Sequence, residues 1–208
     1  MKKIFLVPLM MVIISCNTSR ITSSWKAPNA EARSYNKILV LALINEPDRT
    51  TREKMEEQLV EDLKELGYNA ICSCDEFGPK AFEDMNEKQA LDKLENSSID
   101  AILTIVLLDK TKERYYVPGH IYYSPYVIYH SRFWGYYRTM HDRIYVPGYY
   151  SVNTRYFWES NFYSLNAKEL LYSAQSQSFD PESKSGFSHE YGQMIVKDMI
   201  RNNILAKQ

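Results

Sequence analysis

The side chains that could do chemistry are few in this chain of 208 residues, and their spacing says more about what they cannot do. Cys72 and Cys74 stand two apart. In a strand that spacing points both thiols to one face and does not easily close a disulfide. A metal or redox role for them needs further convergent ligands, and no histidine lies nearby, so the expectation is two small buried residues without function. His120, His130 and His141 recur at spacings of ten and eleven residues, which is no metal motif, and no metal is expected. Asp109 and Glu113 follow an apolar strand, where open parallel sheets place ligands, and such a carboxylate pair could serve a hydrolase as acid and base. Lys110 and Lys112 beside them read more simply as a solvated strand end. There is no G-x-S-x-G, P-loop, H-E-x-x-H or dinucleotide fingerprint, so no catalytic residue and no cofactor is assigned.

Aromatic residues are the stronger signal. Residues 115–163 hold 18 aromatic side chains, where the whole chain has 17 Tyr, 8 Phe and 3 Trp. Tyr-Val-Pro-Gly occurs twice, at Tyr116 to Gly119 and Tyr145 to Gly148, each copy followed by paired tyrosines. Proline then glycine favours a type II turn, so an insertion over about residues 115–150 is expected to run out and return. Such rings either form a rigid amphipathic contact surface or hold a long hairpin together by packing on one another. Tyr122, Tyr123, Trp134, Tyr136, Tyr137, Tyr149 and Tyr150 are the candidate contact residues, because they flank the turns and one domain cannot readily bury so many rings. Arg132, Arg138, Arg143 and Arg155 are interspersed and could stack on them.

The elements that must position these residues are legible from periodicity. Ile38 to Ile44 is continuously apolar, and Ala101 to Leu108 nearly so, as strands buried on both faces are. Between them Met55, Leu59, Leu63 and Leu66 recur at helical spacing up to Gly67, behind a Thr50/Glu53 pair at capping-box spacing. A short strand over Tyr68 to Cys72 and a second helix from about Asn86 to Asn96, with Ala90, Leu91 and Leu94 inward, complete a strand-helix-strand-helix-strand order. Residues 156–163 and 170–179 mix apolar with Ser, Gln and Glu, as strands with one wet face do, and 164–168 is a plausible hairpin loop. Ser188 to about Leu205 reads as a last helix with Tyr191, Ile195 and Met199 on one stripe. The expectation is an α/β domain: a mixed sheet, parallel at its core with an antiparallel extension, covered by three helices.

The first sixteen residues decide where this domain works. Lys2 and Lys3 precede an apolar run from Ile4 to Ile14, shorter than the roughly 20 residues that span a bilayer, so it is a targeting segment. It ends in Ile13-Ile14-Ser15-Cys16, which resembles the lipobox of bacterial lipoproteins. That resemblance implies a signal peptide over 1–15 and a Cys16 that carries diacylglycerol and an amide-linked acyl chain of the palmitate kind. Residues 17–36, rich in Ser, Thr and Asn, are expected to tether the lipid to a single domain over 37–208, with Trp25 docking on that domain. The mature part has 23 basic and 26 acidic residues, so nucleic acid is not an expected partner. The lipid is the expected membrane attachment.

Ser24-Trp25-Lys26-Ala27-Pro28, Lys37 to Leu43, the Tyr-Val-Pro-Gly turns, Glu159 to Tyr163 and Leu171 to Ser176 resemble a family of uncharacterised lipoproteins of Gram-negative bacteria. The element order is also similar to the small α/β domains of envelope assembly lipoproteins, such as the curli secretion lipoprotein and the amino-terminal domain of TolB. The resemblance implies the cell envelope, anchored on the outer membrane and facing the periplasm; Asn17 after the lipidated cysteine fits that sorting. The resemblance carries no activity; the leading expectation is a non-catalytic protein that binds another protein or an envelope polymer and serves envelope assembly or maintenance, and the alternative is a hydrolase of envelope glycans.

Overall fold

A computed structural model describes residues 18–45, 49–77, 81–117, 148–179 and 184–207. Six strands form one open sheet: β1 (Ser19–Lys26), β2 (Ile38–Leu43), β3 (Ala70–Cys72), β4 (Ala101–Val117), β5 (Tyr149–Ser164) and β6 (Glu169–Phe179), in the order β1-β6-β5-β4-β2-β3. The apolar runs predicted to be buried strands are β2 and the first half of β4; they pair in parallel with each other, and β2 pairs in parallel with β3. β4, β5, β6 and β1 then pair antiparallel.

Four helices accompany the sheet among the described residues: α1 (Arg49–Glu65), α2 (Ser73–Glu76), α3 (Glu87–Asn96) and α4 (Lys184–Arg201). Alternation along the strands decides which side each covers. Ile38, Val40 and Ala42 of β2 and Leu103 and Ile105 of β4 join Met55, Leu59 and Leu63 of α1 and Tyr191, Ile195 and Met199 of α4 in the main core. Leu39 and Ile102 point the other way and meet Phe77, Leu94 and Ile99 in a smaller cluster under α3. α1 ends where Gly67 takes φ 96°, with Tyr68 N–H donating to the Leu63 carbonyl and Gly67 N–H to that of Lys64, a Schellman closure. Ser98 and Asn203 close α3 and α4 in the same way with positive φ.

The structure corrects several expectations. Among the described residues there are four helices, because the chain turns sharply after Cys72 into the one-turn α2. The segment read as a tether is, over Ser19–Lys26, an edge strand on β6. The chain between β1 and β2 is also held: Ala30 and Tyr35 are buried, and the Asp100 carboxylate accepts from the N–H groups of Asn36 and Lys37 at 2.9 and 3.1 Å. A Ser/Thr-rich edge strand buries little, so its composition reads as loop. Trp25 joins the body through its backbone while its ring stays half exposed on the open face. Thr50 lies inside α1, one residue past its start, and a capping box is formed on α3, between Asn86 and Gln89. The last helix begins one turn earlier than its stripe indicates, which buries Phe187, and stops at Arg201. Most consequentially, β4 and β5 run well beyond the predicted strands.

Candidate functional site

The extension of β4 and β5 is a two-stranded ribbon. Past the bulge between Leu107 and Asp109, the pairs run from Asp109↔Phe157 to Val117↔Tyr149, while β6 ends at Phe179 beside Arg155. Beyond that level nothing among the described residues pairs with the ribbon's edges. Its aromatic residues are therefore wet: Tyr115, Tyr116, Tyr149 and Tyr150 are each between 46 and 63% exposed. Tyr116 and Tyr150 face each other across the strands with ring centres 5.3 Å apart, and the Arg114 guanidinium lies 4.3 Å over the Tyr150 ring. Alternation puts Tyr115 and Tyr149 on the opposite face. At the base, Lys110 covers Tyr156 at 5.1 Å and Arg155 reaches Glu113 at 3.5 Å. A Cβ at Gly148 would collide with the Tyr116 ring and the Val117 carbonyl, so glycine there permits the close crossing at the ribbon's outer end.

Of the predicted contact residues, Tyr149 and Tyr150 stand on this ribbon in the open. Tyr122, Tyr123, Trp134, Tyr136 and Tyr137 lie outside the described residues, as do Cys16, the three histidines and most of both Tyr-Val-Pro-Gly turns. Tyr115, Tyr116 and Arg114 stand on the same ribbon and were missed, although Tyr116 opens the first turn motif. Asp109 and Glu113 are both exposed on the ribbon, Asp109 accepting from Lys110 N–H at 2.8 Å and the Thr111 hydroxyl at 3.2 Å, and Glu113 engaged by Arg155.

A second cluster lies where β2, β3 and α1 meet. Glu56 is fully buried in α1, and its carboxylate accepts from Ala42 N–H at 2.8 Å, from the Ser73 hydroxyl at 2.9 Å and from Cys74 N–H at 3.2 Å. Burial pushes its pKa up, opposed by those donors and by the Arg52 charge. Cys72 and Cys74 form a disulfide, against the expectation from strand spacing. The reason is local: Cys72 ends β3 and Cys74 is already in α2, so the turn brings their Cα atoms to 5.1 Å. Glu56, Cys72 and Cys74 offer ligand atoms within 4.8 Å of one another, which a reduced pair could present to a thiophilic cation; sulfurs joined to each other have no thiolate to give. Glu56 occupies the same helical stripe as Leu59 and Leu63, and that acidic residue at an apolar position was the signal for this cluster.

No family model matches the chain, and no curated protein matches it. Solved structures similar to it include a PelC dodecamer from Paraburkholderia phytofirmans (12% identity over 91% of this chain and 99% of that one, TM-score 0.44). Lipoprotein GNA1162 from Neisseria meningitidis is similar at 15% identity over 79% and 98%, TM-score 0.43. A neuraminyllactose-binding hemagglutinin homolog from Helicobacter pylori is similar at 10% identity over 86% and 93%, TM-score 0.35.

Proposed function

We propose that the protein is a lipid-anchored, periplasm-facing lipoprotein that binds a protein or envelope polymer through its aromatic ribbon and has no chemistry of its own. The observation that carries the reading is the exposure of Tyr115, Tyr116, Tyr149 and Tyr150 on paired strands that leave the sheet. A two-stranded ribbon is marginal in water by itself, and tyrosine gives large contact area for little lost side-chain freedom. The Ile13-Ile14-Ser15-Cys16 sequence supports the anchor, and among the described residues no helix is long and apolar enough to cross a membrane. A photoreactive phenylalanine analogue at Tyr150, irradiated in intact cells, should give discrete crosslinked species. Tyr115→Ala with Tyr149→Ala should lower their yield about tenfold or more, as truncating central aromatic contacts does, and leave the melting temperature nearly unchanged. Unchanged crosslinking together with a large loss of stability would make the ribbon a self-packed structural element.

A further inference from the structure

β2 presents Leu39, Leu41 and Leu43 to the side away from α1, and α3 is too short to cover them all. Leu39 is sealed, Leu41 is half-buried and Leu43 is 53% exposed. Over them lies an open cavity of about 540 Å³, walled by these leucines with Ile102, Ala90 and Leu94, and bounded by Arg52, Ser73 and Glu83. It lies at the carboxyl ends of the parallel strands, where the connections from β2 and β3 leave to opposite faces of the sheet. Its size is that of a small-molecule site.

The polar groups of the lining differ in what they have free. The Ser73 hydroxyl and Ala42 N–H are spent on Glu56. Glu83 is exposed and has a partner of its own. Arg52, from the first turns of α1, is the cation of the described lining, and its Nε is sheltered from solvent with no hydrogen-bond partner. A guanidinium offers Nε and a terminal amine as a fork that fits a carboxylate side-on. We infer that this cavity is a binding site for a small amphipathic carboxylate, with an apolar chain along Leu41, Leu43 and Ala90 and its head on Arg52. The site is independent of the ribbon, on another part of the sheet.

The probes are decanoate, decanol and decyltrimethylammonium, titrated into the full chain carrying Cys16→Ser and followed by backbone amide resonances. Decanoate should saturate shifts at Leu41, Leu43 and Ala90 and bind about tenfold or more tightly than decanol, the ratio expected of a charge-assisted pair, with the ammonium weakest. Arg52→Gln should bring decanoate to the level of decanol. Ala90→Trp should abolish binding of both, and Ala90→Leu should weaken it where the larger ring impairs folding. No saturable shift at these residues, equal affinity for decanoate and decanol in the parent chain, or undiminished binding in both filled variants would each overturn the site.

Discussion

Glu56 shows how one side chain can hold three segments together at a cost that depends on pH. Its carboxylate ties the end of β2 to the start of α2 from within α1, and replacement by alanine strands the Ala42 and Cys74 N–H groups and the Ser73 hydroxyl in a dry place. Glu56→Ala should lower stability by about 2–4 kcal/mol in urea unfolding. Glu56→Gln keeps an acceptor and should cost less. The pH dependence separates charge from shape. Because burial raises the folded-state pKa above the ordinary 4.5, the folded chain holds this proton more tightly than the unfolded one. The favourable contribution is complete below about pH 4.5 and disappears as pH rises through the higher folded value. Stability of the parent should therefore fall across that window, and Glu56→Gln should fall less; an identical slope in the two proteins would show that the carboxyl is not the group responsible. Asp62, also raised by burial, adds a similar fall beginning near its ordinary 3.8, so the comparison has to be made between the two proteins and not on the parent alone.

Where α1 meets α4, packing turns on an absent side chain. The buried Asp62 accepts from Gln58 at 3.2 Å through one oxygen, while the other has no partner and occupies the space a Cβ at Gly192 would fill. Alanine normally improves a helix by about 1 kcal/mol over glycine. Here Gly192→Ala should instead destabilise by about 1–2 kcal/mol, because overpacking outweighs propensity, and Asp62→Ala in the same chain should recover most of the loss. A gain in melting temperature from Gly192→Ala alone would mean the two helices have slack. The stripes of both helices were legible, since Met55, Leu59 and Leu63 and Tyr191, Ile195 and Met199 recur at the helical period and all are buried. Legible too were the parallel strands, whose runs are apolar at successive positions, although Leu43 and Leu108 at their ends are exposed. What periodicity does not carry is the partner: nothing in sequence pairs Gly192 with Asp62, Glu56 with Ser73, or the Ser/Thr-rich β1 with β6. The ribbon was half legible, for its tyrosines announced a surface but its strands, wet on both faces, lack the alternation that marks a strand against a core.

At the scale of the molecule, the ribbon and the start of the chain lie at the same end of the sheet. Ser19 pairs with Ser178 and Ser178 with Tyr156, so β1 begins level with the point where the ribbon leaves β6. That beginning is pinned: Glu190 of α4 accepts from the Thr18 hydroxyl and from Ser19 N–H, both at 2.7 Å. Ser19 stands three chain steps beyond Cys16, a reach of about 10 Å when extended. A lipid on Cys16 would therefore hold this end of the sheet close to the bilayer, without the long tether its composition suggested. From Arg155 to Tyr149 the ribbon continues in the same direction for six residues, about 20 Å at the rise of a strand. Tyr116, Tyr149 and Tyr150 with Arg114 would then sit at headgroup depth, where amphipathic rings and arginine are at home, and the partner they meet would be one presented at the membrane surface. The Cys72–Cys74 disulfide and an acylated Cys16 leave Tyr150→Cys as a unique free thiol for a nitroxide label. In proteoliposomes that label should be relaxed by oxygen more than by a water-soluble nickel chelate. A label on Ala167→Cys, in the turn at the opposite end of β5 and β6, should show the reverse. Equal access of the nickel chelate to both positions would place the ribbon away from the bilayer, and a more protected Ala167 position would invert the orientation.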